Sequence, residues 1–133
     1  MRFAALAAIA FAALLLPANA GDEDGPNCIS GESNMDACSS PIFTVADAKL
    51  NQAYRELRGA LSASEQVRLR NAERAWIAYR DKECDFEAMG TEGGSDHPRE
   101  VARCLADRTN TRLAELNRML ACKRDGDCPW TGN

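Results

Sequence analysis

Apolar residues recur at three- and four-residue spacing in three blocks of this chain, and each block reads as a helix. In DAKLNQAYREL the repeat runs through Asp47, Leu50, Asn51, Tyr54 and Leu57. In LRNAERAWIAYRDKEC it runs through Leu69, Ala72, Trp76 and Tyr79, with Arg80 and Cys84 beside it. In CLADRTNTRLAEL it runs through Cys104, Leu105, Thr109, Arg112 and Leu116. No stretch alternates with period two, so no strand is expected.

The breaks between blocks carry recognisable punctuation. Ser40 before Pro41 pairs an N-cap with a first-turn proline, so a helix is expected from there to about Arg58, with Ile42, Ala46, Leu50, Ala53, Tyr54, Leu57 and Leu61 as its apolar stripe. Gly59 marks a stop, and Ser62 with Glu65 forms a capping box that opens the second helix, expected to reach about Ala88. So short a connection predicts antiparallel neighbours. The stretch Gly90 to Pro98 is a glycine-rich loop, after which a third helix, capped by Asp96 or His97, is expected to reach about Cys122. Glu32 to Cys38 allows a short leading helix. The predicted fold is therefore all-α: a small antiparallel helical hairpin bundle of three longer helices plus a short leading one, stapled by disulfides.

Targeting and cysteine content refine that picture. Arg2, the apolar run Phe3 to Leu16, Pro17 and Ala18-Asn19-Ala20 have the layout of a secretory signal, so residues 1–20 are expected to be removed and the product to be periplasmic or secreted. The run is shorter than the ~20 apolar residues a membrane span needs. Cys28 lies beyond the cleavage site, which argues against a lipid anchor. The remaining chain divides into a helical domain, 21–122, and a tail, 123–133, without helical period. All six cysteines survive cleavage. In a short exported chain they read as a disulfide framework, and without any C-x-x-C pair or a second histidine they do not form a zinc site.

Six cysteines permit many pairings. If residues 28–38 formed one helix, Cys28 and Cys38 would stand ~15 Å apart, too far for a bridge. Folding the second and third helices about the loop brings Cys84 near Cys104, the preferred pair. Folding the first two helices brings Cys38 near Cys84 as the competing one. Cys122 and Cys128 are expected to close a small loop that pins the tail.

Taken together, these blocks resemble the LprI-like family of small secreted bacterial proteins. Its pattern runs aD-x-x-LN-x-aY, then L-x-x-AQ-x-x-W-x-x-yR-x-x-x-C, then Gly-Ser, then C-L-x-x-x-T-x-x-R-x-x-eL. Asp47, Asn51, Tyr54, Trp76, Tyr79, Arg80, Thr109 and Arg112 fall at its marked positions; Glu73 stands where the pattern has Gln, and the tail after Leu120 has no counterpart. The resemblance covers about residues 28–118. It implies a non-enzymatic exported protein, with lysozyme as the partner of the family's name-giving member.

The candidate chemistry is sparse. Trp76, Tyr79 and Tyr54 read as core aromatics. Arg80 and Arg112 lie beside apolar stripes, where an unpaired charge is costly, so Asp47, Glu73 or Glu83 are expected as partners; a polar recognition patch is the alternative. Asp81 with Asp85 and Glu83 with Glu87 are carboxylate pairs on polar helix faces, with nothing apolar to raise one of them as a general acid. No phosphate-binding loop, nucleophile elbow or metal set is present, so no cofactor is expected. The loop residues Glu92, Ser95, Asp96 and His97 are the candidate binding group. The chain carries a net charge of −4, made more negative by loss of Arg2, which disfavours nucleic acid and anionic membranes and favours a basic partner such as lysozyme. A binding module for an envelope component or another protein is the competing function.

Overall fold

In the computed structural model, residues 35–126 and 128–130 are described. The expected signal segment, Cys28 and the start of the leading helix lie outside them. Four helices follow in order: α1 (Met35–Cys38), α2 (Pro41–Gly59), α3 (Ala63–Glu87) and α4 (His97–Asp125), with a 3-10 turn, Met89–Thr91, between the last two. Among the described residues there is no strand, and no helix is long and apolar enough to cross a membrane.

The helix ends follow local chemistry. Ser40 occupies the N-cap of α2 with extended backbone and Pro41 in the first turn, although its hydroxyl makes no capping bond. At α3 both halves of the capping box form: the Ser62 amide donates to Glu65 Oε2 at 2.7 Å, and the Glu65 amide donates to Ser62 Oγ at 3.4 Å. The α4 helix runs past the expected stop at Cys122 because Gly126, at φ 78°, supplies the left-handed residue that ends it, its amide bonding Cys122 O. Lys123 to Asp125, assigned from sequence to an irregular tail, are therefore helical.

Two apolar clusters fix the register. Phe43 of α2 meets Cys84 of α3, Ala88 just past its end, and Val101, Ala102 and Leu105 of α4. Leu57 and Leu61 meet Leu69 of α3 and Leu116 and Leu120 of α4. Thus α2 and α4 run parallel, with α3 antiparallel to both. The expected antiparallel direction of α2 and α3 holds, but the closest backbone approach is between α2 and α4. Small residues allow it: Ala46 and Ala53 on one helix, Ala102 and Ala106 on the other, are all buried. The inner face of α3 carries Glu73, Trp76 and Arg80, which hold its backbone farther off.

Two expected stripes need correction. On α2, Ile42 is 54% exposed and Phe43 takes its place in the core. On α3 the buried line is Leu69, Glu73, Ile77, Arg80 and Cys84, whereas Ala72 is exposed and Tyr79 is 55% exposed. Hydrophobicity alone centred the stripe one residue off because the true centre is occupied by paired charges.

Disulfides tie α3 to α4 at Cys84–Cys104, with Cα atoms 5.5 Å apart, and tie the tail to α4 at Cys122–Cys128, at 5.3 Å. Cys38 is also bridged, and since Cys84 is taken by Cys104, the alternative Cys38–Cys84 pair does not form.

Candidate functional site

Between the two apolar clusters lies a polar layer that gathers most of the marked positions. Arg80 is fully buried. Its guanidinium stacks 5.0 Å from the Phe43 ring and 5.1 Å from the Trp76 ring, filling the gap between α2 and α3. Its Nε donates to Asp81 Oδ1 at 2.8 Å and its Nη1 to Thr109 Oγ1 at 3.4 Å. Asp81, read from sequence as a solvated acid, is thus its direct partner. Adjacency in sequence hid that role, since neighbouring residues point to different sides of a helix.

Asp47 faces the same cation from α2 and accepts from Asn51 Nδ2 at 2.9 Å. Burial pushes its carboxyl above the usual range, while Arg80 and Asn51 pull it back. Glu73, also buried, receives Arg112 Nε at 2.9 Å and Arg112 Nη2 on the same oxygen. Arg112 also donates to Glu115 at 2.6 Å; burial alone would lower this guanidinium, but its carboxylate bonds raise it. Tyr54 is buried nearby, whereas Trp76 is half-buried and Tyr79 points to solvent. The arrangement holds three helices in register and leaves its acids committed to cations.

At the loop end, the Cys84–Cys104 bridge clamps the base of the connection. Thr91 Oγ1 donates to Ala88 O at 2.7 Å, which uses its one proton, so it accepts from His97 Nδ1 at 3.0 Å. His97 is therefore an internal brace. Glu92, Ser95 and Asp96 are exposed, and Asp96 pairs with Arg99 at 3.2 Å. Arg108 of α4 reaches across to both Glu83 and Glu87, which raises its own affinity for the proton. These two carboxylates form an ion-pair cluster.

Sequence reasoning missed an apolar component beside this loop. Phe86 is 67% exposed and Met89 56%, and Tyr79 lies one heptad before Phe86 on the same side of α3. Residues 79–108 hold eight acidic against five basic residues. The sequence signal was present in the Tyr79 to Phe86 spacing, but it merged with the expected core stripe.

The opposite end differs. A groove of about 250 Å³ opens between α3 and α4, with Leu57, Leu61 and Leu69 inside, Ala72 and Met119 on its walls and Trp130 of the tail at its edge. Residues 55–74 and 110–126, which surround it, hold nine basic against five acidic residues.

The family model described as lysozyme inhibitor LprI matches residues 27–116. An uncharacterized protein of Rhizobium meliloti (strain 1021), R02472, is 35% identical, covering 90% of this chain and 96% of its own length. An uncharacterized protein of Escherichia coli (strain K12), YecT, is 28% identical over 74% of this chain and 66% of its own. No solved structure matches.

Proposed function

Since the chain belongs to the LprI family of lysozyme inhibitors, we propose that it is an exported, non-catalytic protein that blocks a basic lysozyme with its loop end. The observation that carries this reading is the family match across residues 27–116, which spans all four helices up to Leu116. The loop end supplies what such a contact needs. Its base is crosslinked and its centre is tied by Thr91 and His97, so less chain entropy is lost when it docks. Exposed Tyr79, Phe86 and Met89 offer apolar anchors beside Glu92, Ser95 and Asp96. The local surplus of acids steers a cationic partner toward that end.

The carboxylates argue for occlusion in place of hydrolysis. General acid catalysis needs a carboxyl kept protonated near neutral pH. Glu83 and Glu87 face Arg108, and Asp81 holds Arg80, so each of these carboxylates is engaged by a cation and none is set in an apolar pocket.

The test is a titration of the purified protein against a basic animal-type lysozyme, read as lysis of bacterial cells. Near-stoichiometric inhibition that weakens as salt rises is the expected result, with Phe86→Ser and Glu92→Lys/Asp96→Lys each raising the required concentration by about tenfold or more. Helical content should stay unchanged in both. Undiminished lysis at excess protein rejects the reading. Export is tested by the mass of the mature product, which should begin at Gly21.

A further inference from the structure

The groove at the opposite end lies outside the loop-end contact proposed above. Its interior is apolar and lies between helices held apart by the bulky inner face of α3. Its volume, about 250 Å³, falls below the ~300 Å³ lower end of pockets that enclose drug-sized ligands. A single flexible chain suits such a space better. The Cys122–Cys128 bridge holds the tail so that Trp130, 42% exposed, stands at the groove's edge. Met119 and Trp130 both lie beyond the span matched by the family model.

Charge selects the head group. The mouth carries Glu65, Arg68 and Arg112. Glu65 is occupied by the Ser62 amide and by Lys123 at 3.6 Å, and Arg112 is occupied by Glu73 and Glu115. Arg68 is exposed and lines the same opening, on the end of the molecule where cations outnumber acids. We propose that this groove binds an anionic single-chain amphiphile, its alkyl chain seated on Leu57, Leu61 and Leu69 and its carboxylate facing Arg68. Burial of the alkyl chain supplies the affinity, at ~25 cal/mol per Å² of apolar surface removed from water. The guanidinium supplies the preference for an anion.

The experiment is calorimetric titration of the full mature protein with dodecanoate below its micellar concentration, with dodecanol and dodecyltrimethylammonium as the neutral and cationic comparators. Dodecanoate should bind with a stoichiometry of one and more tightly than either comparator. Arg68→Glu should weaken dodecanoate about fivefold to tenfold and leave dodecanol unchanged. Ala72→Trp, a substitution at an exposed helix position, should fill the groove and abolish binding of both while helicity is retained. The proposal is overturned by absence of dodecanoate binding, by binding that survives Ala72→Trp, or by equal affinity for the cationic comparator. Response to anionic vesicles alone, without monomeric dodecanoate, would also overturn it and make this end a membrane-facing surface.

Discussion

At one end of the bundle a crosslinked acidic loop stands beside exposed Phe86 and Met89; at the other, a tail held by a second crosslink lines an apolar groove among cations. The same three helices build both ends. The loop end projects its apolar residues outward, as a surface that enters a partner does. The groove end turns them inward, as a surface that receives a ligand does. The difference arises from α3, which is tied to α4 by the Cys84–Cys104 bridge at its C-terminal part and carries the bulky Glu73, Trp76 and Arg80 on the inner face of its middle. What separates the two ends is the charged layer at mid-bundle, and that layer determines whether they can be altered independently.

The largest effect should come from breaking this layer. Arg80→Ala removes a buried cation from between two aromatic rings and leaves Asp81 and Asp47 without their charge partner. Equilibrium urea unfolding should show a loss of about 3–5 kcal/mol, the range for removing one partner of a buried ion pair. Arg80→Lys should recover little of it, because an ammonium cannot provide the planar stack or the forked donors. Full recovery by lysine would mean that charge alone holds the helices, and the two ends would then be less firmly divided than the stacking implies.

The crosslinks give a more direct comparison. Replacing both Cys84 and Cys104 by serine opens a loop of sequence separation 20, and replacing both Cys122 and Cys128 opens one of 6. Loop-closure entropy predicts losses of about 3 and about 2 kcal/mol respectively. Thermal unfolding measures these costs, and binding assays assign them to ends. Loss of the first bridge should weaken lysozyme inhibition and spare dodecanoate binding. Loss of the second should do the reverse. If either variant damages both activities while remaining folded, the ends are coupled and the division fails.

Much of the fold was legible because its punctuation is local. Ser62 and Glu65 satisfy each other's backbone groups within one turn, and Ser40-Pro41 sets the start of α2 by the same short-range logic. The Cys84–Cys104 pair followed from folding two helices about a known loop. Arg80 and Arg112 were readable as buried cations needing acids, and Glu73 was correctly among the expected partners of that pair of arginines. The α3 face was misread for a physical reason: a hydrophobic stripe cannot reveal a buried line through Glu73 and Arg80, so Tyr79 was placed inside and Asp81 outside. The groove was not readable at all. It depends on Leu57, Leu69, Met119 and Trp130 meeting from four parts of the chain, and no sequence period records that meeting.

The smallest expected effect concerns Asp47, and it separates charges in the layer from charges at the ends. One of its oxygens, Oδ1, is buried without a hydrogen-bond partner among the described residues, and burial raises its carboxyl above the ordinary value of 3.8. The folded state therefore holds this proton more tightly than the unfolded chain does. The stability Asp47 contributes is fully present below the unfolded value and is lost as pH rises through the raised folded value. Glu65, lowered from 4.5 by the Ser62 amide, acts oppositely: its contribution is present above the unfolded value and lost as pH falls through the folded one. Asn in place of Asp47 resembles the protonated form at every pH. Relative to the parent protein, Asp47→Asn should therefore gain stability as pH rises from about 4 toward neutrality, measured as urea midpoints across that interval. Salt should change this difference little, because the group is half-buried and screening acts chiefly on exposed charges, whereas lysozyme inhibition at the loop end should fall steadily with salt. A difference between Asp47→Asn and parent that stayed constant with pH would show that the exposed carboxylates govern the profile, and would place the molecule's pH response at its ends.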